Sequence, residues 1–239
     1  MTRSGVGVVV ALAAEARALA PGRPRLGQSE DLGGGVWRYV CGMGPEAAAA
    51  AAAELARCGV AALAMFGVAG GLDPALPSGA ALCPAAVLDD HGRRYACDAA
   101  WRSRLALRLG NRVELRDALL LTVDGPLLTP QAKAAAWARS GAAAVDMESA
   151  AAAAVAQQEG LPFLALRAIA DGAADSLPPA LTAAVDRWGR PKPLGVAGAL
   201  LGHPGLIARL PHLASTMNLA TAMLRRIAQT AGPGLAYSE

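Results

Sequence analysis

The sequence predicts an α/β fold: a single domain over residues 1–239, with a central, largely parallel sheet flanked by helices and an extended helical tail over 177–239. Three observations carry this. Strand-like apolar runs alternate with alanine-rich helical runs through the first two thirds of the chain, the pattern of strands joined by crossover helices. The strand runs are mostly apolar instead of alternating regularly with polar residues, as expected of strands covered on both faces. The glycine and carboxylate clusters GMG, GVAGG, DME and AIAD all fall at strand ends, where such sheets gather their chemistry.

Taken in order, VGVVVAL is the first strand and WRYVCG, Trp37 to Gly42, the second. PEAAAAAAAELARCG follows as a helix. Pro45 stands at its first position, where a missing N–H costs nothing, and Gly59 lies just past its end. AALAMFG, Ala61 to Gly67, is a buried strand leading into a glycine loop, GVAGG. ALCPAAVLDD reads as another strand. DAAWRSRLALRLG is an amphipathic helix with Asp98 as N-cap and Gly110 as stop. LLLTVDG, AAAVDME and FLALRAIAD are further strands, separated by the helices QAKAAAWARSG and SAAAAAVAQQEG. Beyond Ser176 the pattern loosens into a loop, DRWGRPKP, and apolar helices broken by Pro and Gly.

Bulk composition narrows the function classes. With 239 residues and 54% hydrophobic content the chain can bury a sizeable core, although aromatics make up only 4%. A net charge of +3, without a basic stripe interleaved with aromatics, argues against nucleic acid as a partner. Cys41, Cys58, Cys83 and Cys97 lack C-x-x-C spacing and an accompanying His cluster, so they read as reduced thiols of a cytoplasmic protein; neither a metal nor a cofactor is expected. The start MTRSGVGVVVALAA imitates a signal peptide, but Glu15 and Arg17 sit where a cleavage region prefers small neutral residues. No apolar run reaches the ~20 residues of a membrane span; PLGVAGALLGHPGLIARL comes closest.

Two glycine motifs and two carboxylates invite chemistry. GMGPEA from Gly42 matches G-x-G-x-x-A between a strand and a helix, but the next strand, AALAMFG, lacks the acid that a dinucleotide's ribose requires. A tight turn opening a helix is the simpler reading. GVAGG has no Arg, Lys or Ser beside it, so it suits an uncharged flat group or close packing. In AVDMESAAAAAV, Asp146 and Glu148 flank Met147 just before a run of methyl groups. Buried carboxylates there need partners, whereas a solvated helix cap would not.

The blocks VVVALAAEARAL, CGMGPEAAAAAAAEL, FGVAGGLDPALPSG and AVDMESAAAAAVAQQEGLPFLALRAIAD together resemble the nucleoside phosphorylase and nucleosidase superfamily, most closely its methylthioadenosine/adenosylhomocysteine nucleosidase branch. That resemblance implies one α/β domain with a central twisted mixed sheet wrapped by helices, a nucleoside substrate, and a dimer or larger homo-oligomer. DDHGRRYACDAAWRSRL, VDMESAA and DRWGRPKPLGVAGALL further resemble the hopanoid-associated phosphorylase group, which implies release of adenine from adenosylhopane, with methylthioadenosine and adenosylhomocysteine as the alternative substrates.

Residue by residue, the resemblance makes Glu148 the carboxylate that binds the ribose hydroxyls and Met147 the contact to the sugar's apolar face. Asp146, expected with Glu148 to bind the sugar, replaces a family Glu and is one methylene shorter. Asp171 matches the acid that protonates N7 of adenine, with Ala170 in place of a usual Ser. Glu15 matches the residue that orients or deprotonates the attacking water, where phosphorylases carry an Arg for phosphate. Met65 and Val68 likewise replace phosphate ligands, and with no matching cation in view these residues favour hydrolysis over phosphorolysis. Ala69 and Gly70 would lie near the base or sugar, Leu127 near the segment that stacks on adenine, and Met43 near the 5′ substituent. The tail from 186 carries Arg187, Arg190, Lys192, Arg209, Arg225 and Arg226 against Asp186 and Glu239, a net +4. Such a tail suits peripheral contact with an anionic membrane surface or a channel for a lipid-linked substrate, and equally a packing role at a subunit interface or over the core. A non-catalytic nucleotide-binding module and a dinucleotide oxidoreductase are the readings from other classes.

Overall fold

The apolar runs become strands, and in a computed structural model eleven of them, counted among the described residues, join in one mixed sheet. The structure describes residues 3–202, 205 and 207–238. Met1, Thr2, His203, Pro204, Leu206 and Glu239, which belong to the signal-like start and the basic tail read above, lie outside the described residues.

Strand β1 (Val6–Val10) lies between β3 (Val36–Val40) and β4 (Ala62–Gly71), parallel to both, and β11 (Phe163–Asp171) runs parallel to β4 on its other flank. Beyond its pairing with β1, the far end of β4 pairs antiparallel with β10 (Ala144–Asp146), through Val145 opposite Gly70. From β10 the sheet continues through β9 (Leu120–Thr122) and β6 (Ala86–Leu88) to β7 (Arg94–Ala96). Strand β2 (Ser29–Asp31) closes the other edge, while β5 (Ala81–Leu82) bridges β11 and β8 (Leu115–Arg116).

Alternate residues of the central strands face opposite layers, as the period of two requires. Leu63, Met65 and Ala165 meet helices α2 (Pro45–Arg57) and α5 (Ser149–Gln158) on one side. Ala62, Phe66 and Leu164 meet α1 (Ala13–Leu19), α3 (Ala99–Leu109) and α8 (Leu210–Ala231) on the other. The many alanines let α2 and α5 sit close to the sheet and to each other. Caps act where the sequence placed them. Pro45 opens α2, and Asp98 accepts the Trp101 N–H at 2.7 Å to start α3. In α4 (Pro130–Ser140), Thr129 accepts the Ala132 N–H at 3.1 Å.

Two expectations are corrected. GVAGG is not a loop but the second half of β4, because glycine and alanine let that strand twist tightly against β10 and β11. ALCPAAVLDD forms two strands instead of one, since Pro84 interrupts the ladder between β5 and β6. The edge strands β2, β7 and β8 are short and polar, and periodicity alone did not mark them. In the tail, α8 buries Ala220, Leu224 and Ile227 in the core, and the Leu235 carbonyl accepts the Trp101 indole N–H at 2.8 Å. Two short helices, α6 (Pro179–Ala183) and α7 (Pro193–Gly202), precede it, and on α7 Leu194 is 90% exposed. Among the described residues no helix is long and apolar enough to cross a membrane. The cysteines are free thiols, with Cys58 exposed and the other three buried.

Candidate active site

Glu15 sits in the first turn of α1, just after β1 ends, and is 1% exposed. Its Oε2 accepts the backbone N–H groups of Ala11 and Leu12 at 2.9 and 2.8 Å, and Oε1 accepts that of Val68 at 2.8 Å. Three backbone donors thus hold a carboxylate between the ends of β1 and β4. Burial pushes its proton affinity up, while the Arg167 charge and those N–H groups pull it back. Gly67 is required here: a Cβ would collide with Glu15 Oε1 and lie 2.6 Å from Arg167 Nη1.

Arg167, fully buried on β11, is the counter-charge of the site. Its Nη2 donates to Asp146 Oδ2 and, at 2.9 Å, to Ser149 Oγ; Glu148 Oε2 lies 3.9 Å away. Burial works against the guanidinium charge, but Asp146, Glu148 and Glu15 hold it protonated. Glu148 is the N-cap residue of α5, and its Oε1 accepts the Gly44 N–H at 2.9 Å. The GMG turn therefore presents its backbone to a carboxylate of the protein itself, with Gly44 at φ 107°, a conformation open to glycine. Burial first, then the Asp146 charge, raises the Glu148 carboxyl to about 7.

Asp146 departs from its expected place against the sugar. Oδ1 accepts the Thr122 hydroxyl at 2.6 Å, and Oδ2 is taken by Arg167 and by the Ser149 N–H at 3.3 Å. One methylene shorter than Glu, this side chain reaches the buried guanidinium and its oxygens are occupied internally. The DME stretch is accordingly no solvated cap, since both carboxylates are buried and partnered.

Asp171 ends β11 after a bulge that shifts the register between Ile169 and Asp171, setting Asp171 opposite Gly70. A Cβ on Gly70 would lie 3.3 Å from Asp171 Oδ2. Lys133, from the first turn of α4, donates to that same oxygen. Burial raises the Asp171 carboxyl, while the Lys133 charge lowers it. Ala69 is buried in β4 between these groups in sequence, and Met147 is half-buried beside Glu148. Leu127 packs against the cluster of Leu72, Val123 and Val145, on the loop whose Leu128 carbonyl accepts the Leu177 N–H at 2.9 Å. Met43 lines a cavity of about 610 Å³ with Gly44, Glu46, Asp124 and Arg187. Arg187, from the tail, donates to the Cys41 carbonyl at 3.0 Å, so the DRWGRPKP loop covers the end of β3.

Glu15 and Glu148 thus share one network through Arg167, and Asp171 stands at the far end of the same β4 segment. Arg167, Ser149, Thr122 and Lys133 were not singled out from the sequence. A charged residue inside an otherwise unbroken apolar strand, FLALRAIAD, was the available signal for Arg167. The expectation that Glu15 has no cation near it is corrected as well. Three carboxylates nevertheless stand around this one guanidinium. Among the described residues no group of His, Cys, Asp and Glu could hold a metal ion.

The sequence matches the family model of the phosphorylase superfamily over residues 4–200. The chain belongs to the phosphorylase superfamily. No curated protein matches this superfamily member in sequence. Solved structures share its fold at low identity. A 5′-methylthioadenosine/S-adenosylhomocysteine nucleosidase from Neisseria meningitidis, in complex with methylthio-immucillin-A, superposes with a TM-score of 0.71 at 17% identity, covering 98% of each chain. The corresponding nucleosidase of Campylobacter jejuni gives 0.68 at 15%, covering 96% of this chain and 99% of the other. Futalosine hydrolase of Helicobacter pylori gives 0.66 at 16%, covering 95% and 97%.

Proposed function

We propose that this superfamily member is an N-glycosyl hydrolase that cleaves the bond between ribose and adenine in a 5′-substituted adenosine, with adenosylhopane, yielding ribosylhopane, as its substrate. The observation that carries the hydrolytic reading is the buried network of Glu15, Asp146 and Glu148 around the single guanidinium of Arg167. A buried site with more carboxylates than cations favours, as those carboxylates ionise, the cationic sugar that forms as the glycosidic bond stretches, and disfavours a phosphate dianion.

In this scheme Glu15, its carboxylate aimed by three backbone N–H groups, orients the attacking water and takes its proton. Glu148 binds the ribose hydroxyls in its ionised form, and Met147 covers the apolar face of the sugar. Asp146 acts through Arg167, holding the guanidinium between the two glutamates. Asp171 protonates N7 of the departing purine, with Ala69 and Gly70 leaving room for the flat base and Leu127 at its edge. Met43 and the cavity beside Arg187 receive the 5′ substituent. The pH dependence follows with opposite signs. Activity rises as Glu148 ionises through about pH 7, and it falls as Asp171, whose hold on its proton is strengthened by burial, gives that proton up.

A lipid-linked substrate accords with exposed Leu194 and Ala197 on α7 and with exposed Arg187, Arg190 and Lys192 just before it, which together suit an anionic membrane surface. The protein is proposed to act in the cytoplasm as a homo-oligomer with this peripheral contact. Incubation with adenosylhopane and with methylthioadenosine, each with and without phosphate, followed by assay of free adenine, tests the reading. Adenine release without phosphate is expected. Phosphorolysis, the reading that Arg167 as a buried cation would favour, predicts an absolute phosphate requirement, and that result overturns hydrolysis.

A further inference from the structure

Lys133 is an expensive residue in its place. It is fully buried, and it lies in the first turn of α4, where the helix dipole disfavours a cation. All three of its ammonium protons are used on one short stretch of chain. They go to Asp171 Oδ2, to the Gly172 carbonyl at 2.7 Å and to the Asp175 carbonyl at 3.1 Å. The Gly172 N–H in turn donates to Asp175 Oδ2 at 2.8 Å, and His212 of α8 meets Asp175 Oδ1 at 2.9 Å. The charged groups acting on Asp171 are therefore Lys133 from α4 and Asp175 from its own loop, with His212 standing behind Asp175. Asp171 Oδ1 has no hydrogen-bond partner among the described residues. An apolar side chain would fill the Lys133 site without the cost of burying a charge, so the ammonium is better explained by what it does to Asp171.

We propose that Lys133 is a positioning residue for the acid step: it pins Oδ2 of Asp171 so that Oδ1 alone faces the leaving base, and its charge governs how readily Oδ1 gives up its proton. This role rests on the hydrolytic reading above. In the step, the Oδ1–H bond breaks as the N7–H bond forms, and the electron pair of the C1′–N9 bond passes to the purine. The carboxylate left on Asp171 is stabilised by the hydrogen bond and charge of the Lys133 ammonium. Water adds to C1′, its proton passes to Glu15, and exchange with solvent resets both carboxyls.

The test compares Lys133→Met, Lys133→Gln and Lys133→Arg with the wild type on two substrates. One is a 5′-substituted adenosine, and the other is 4-nitrophenyl riboside, whose leaving group needs no proton. Both neutral variants should lose about 100-fold in kcat on the adenosine substrate, the usual scale for a positioned acid. Their alkaline limb should also move up by about one pH unit, as expected when a neighbouring positive charge is removed. Lys133→Arg should leave the limb near its wild-type place. Nitrophenyl riboside cleavage should change by less than about threefold in all of them, which also reports that the variants are folded, since it requires no acid. An unmoved alkaline limb in a folded neutral variant, or equal losses on both substrates, overturns the proposal. A wild type that cleaves neither substrate instead overturns the hydrolytic reading itself.

Discussion

Glu148→Gln should stabilise the protein in alkaline solution while removing the charge on which the proposed chemistry depends. Burial, followed by the Asp146 charge, holds the Glu148 carboxyl at about 7 against an ordinary 4.5. The folded state thus binds this proton more tightly than the unfolded state does. The group's contribution to stability is fully present below about pH 4.5 and is lost as the pH rises through about 7. At 1.36 kcal/mol per unit, that span corresponds to about 3 kcal/mol. The amide keeps an oxygen for the Gly44 N–H and does not titrate. Urea unfolding of both proteins at about pH 5 and about pH 8.5 samples most of that span, and the variant should gain roughly 2.5 kcal/mol on the wild type between the two. Glu15 and Asp171 titrate in both proteins and largely cancel in the difference. Adenine release should meanwhile fall by about 100-fold or more, as when a group stabilising transition-state charge is removed. A stability difference that is the same at both pH values would refute the assignment of a strongly raised carboxyl to Glu148.

Two further substitutions probe the same network. Arg167→Met leaves Asp146 and Glu148 without their cation and should cost about 3–5 kcal/mol in chemical denaturation, the scale for stripping one partner from a buried ion pair. Gly67→Ala pushes a methyl group into Glu15 Oε1 and Arg167 Nη1, so urea melts should show a loss of about 1–3 kcal/mol, and adenine release should drop even where the protein remains folded.

Much of the fold was legible because burial writes itself into composition. A strand covered on both faces is mostly apolar, so VGVVV and, Arg167 apart, FLALRAIA announced themselves, and the capping residues Pro45 and Asp98 marked helix starts. Edge strands such as Arg94–Ala96 carry no such constraint and left no trace. The fate of GVAGG was also hidden, since glycines that serve a loop and glycines that let a strand twist look the same in one dimension.

For the site, the sequence by itself determined the inventory: which carboxylates stand at strand ends, and that GVAGG carries no phosphate ligands of its own. Which charges meet was decided only in three dimensions. Arg167 joins Asp146, Glu148 and Glu15, and Lys133 joins Asp171, across separations of 19 to 152 residues, because β1, β4, β10 and β11 converge there. A buried charge is tolerable only beside its partner, and proximity between distant segments is a property of the folded sheet, with no local signature in the chain.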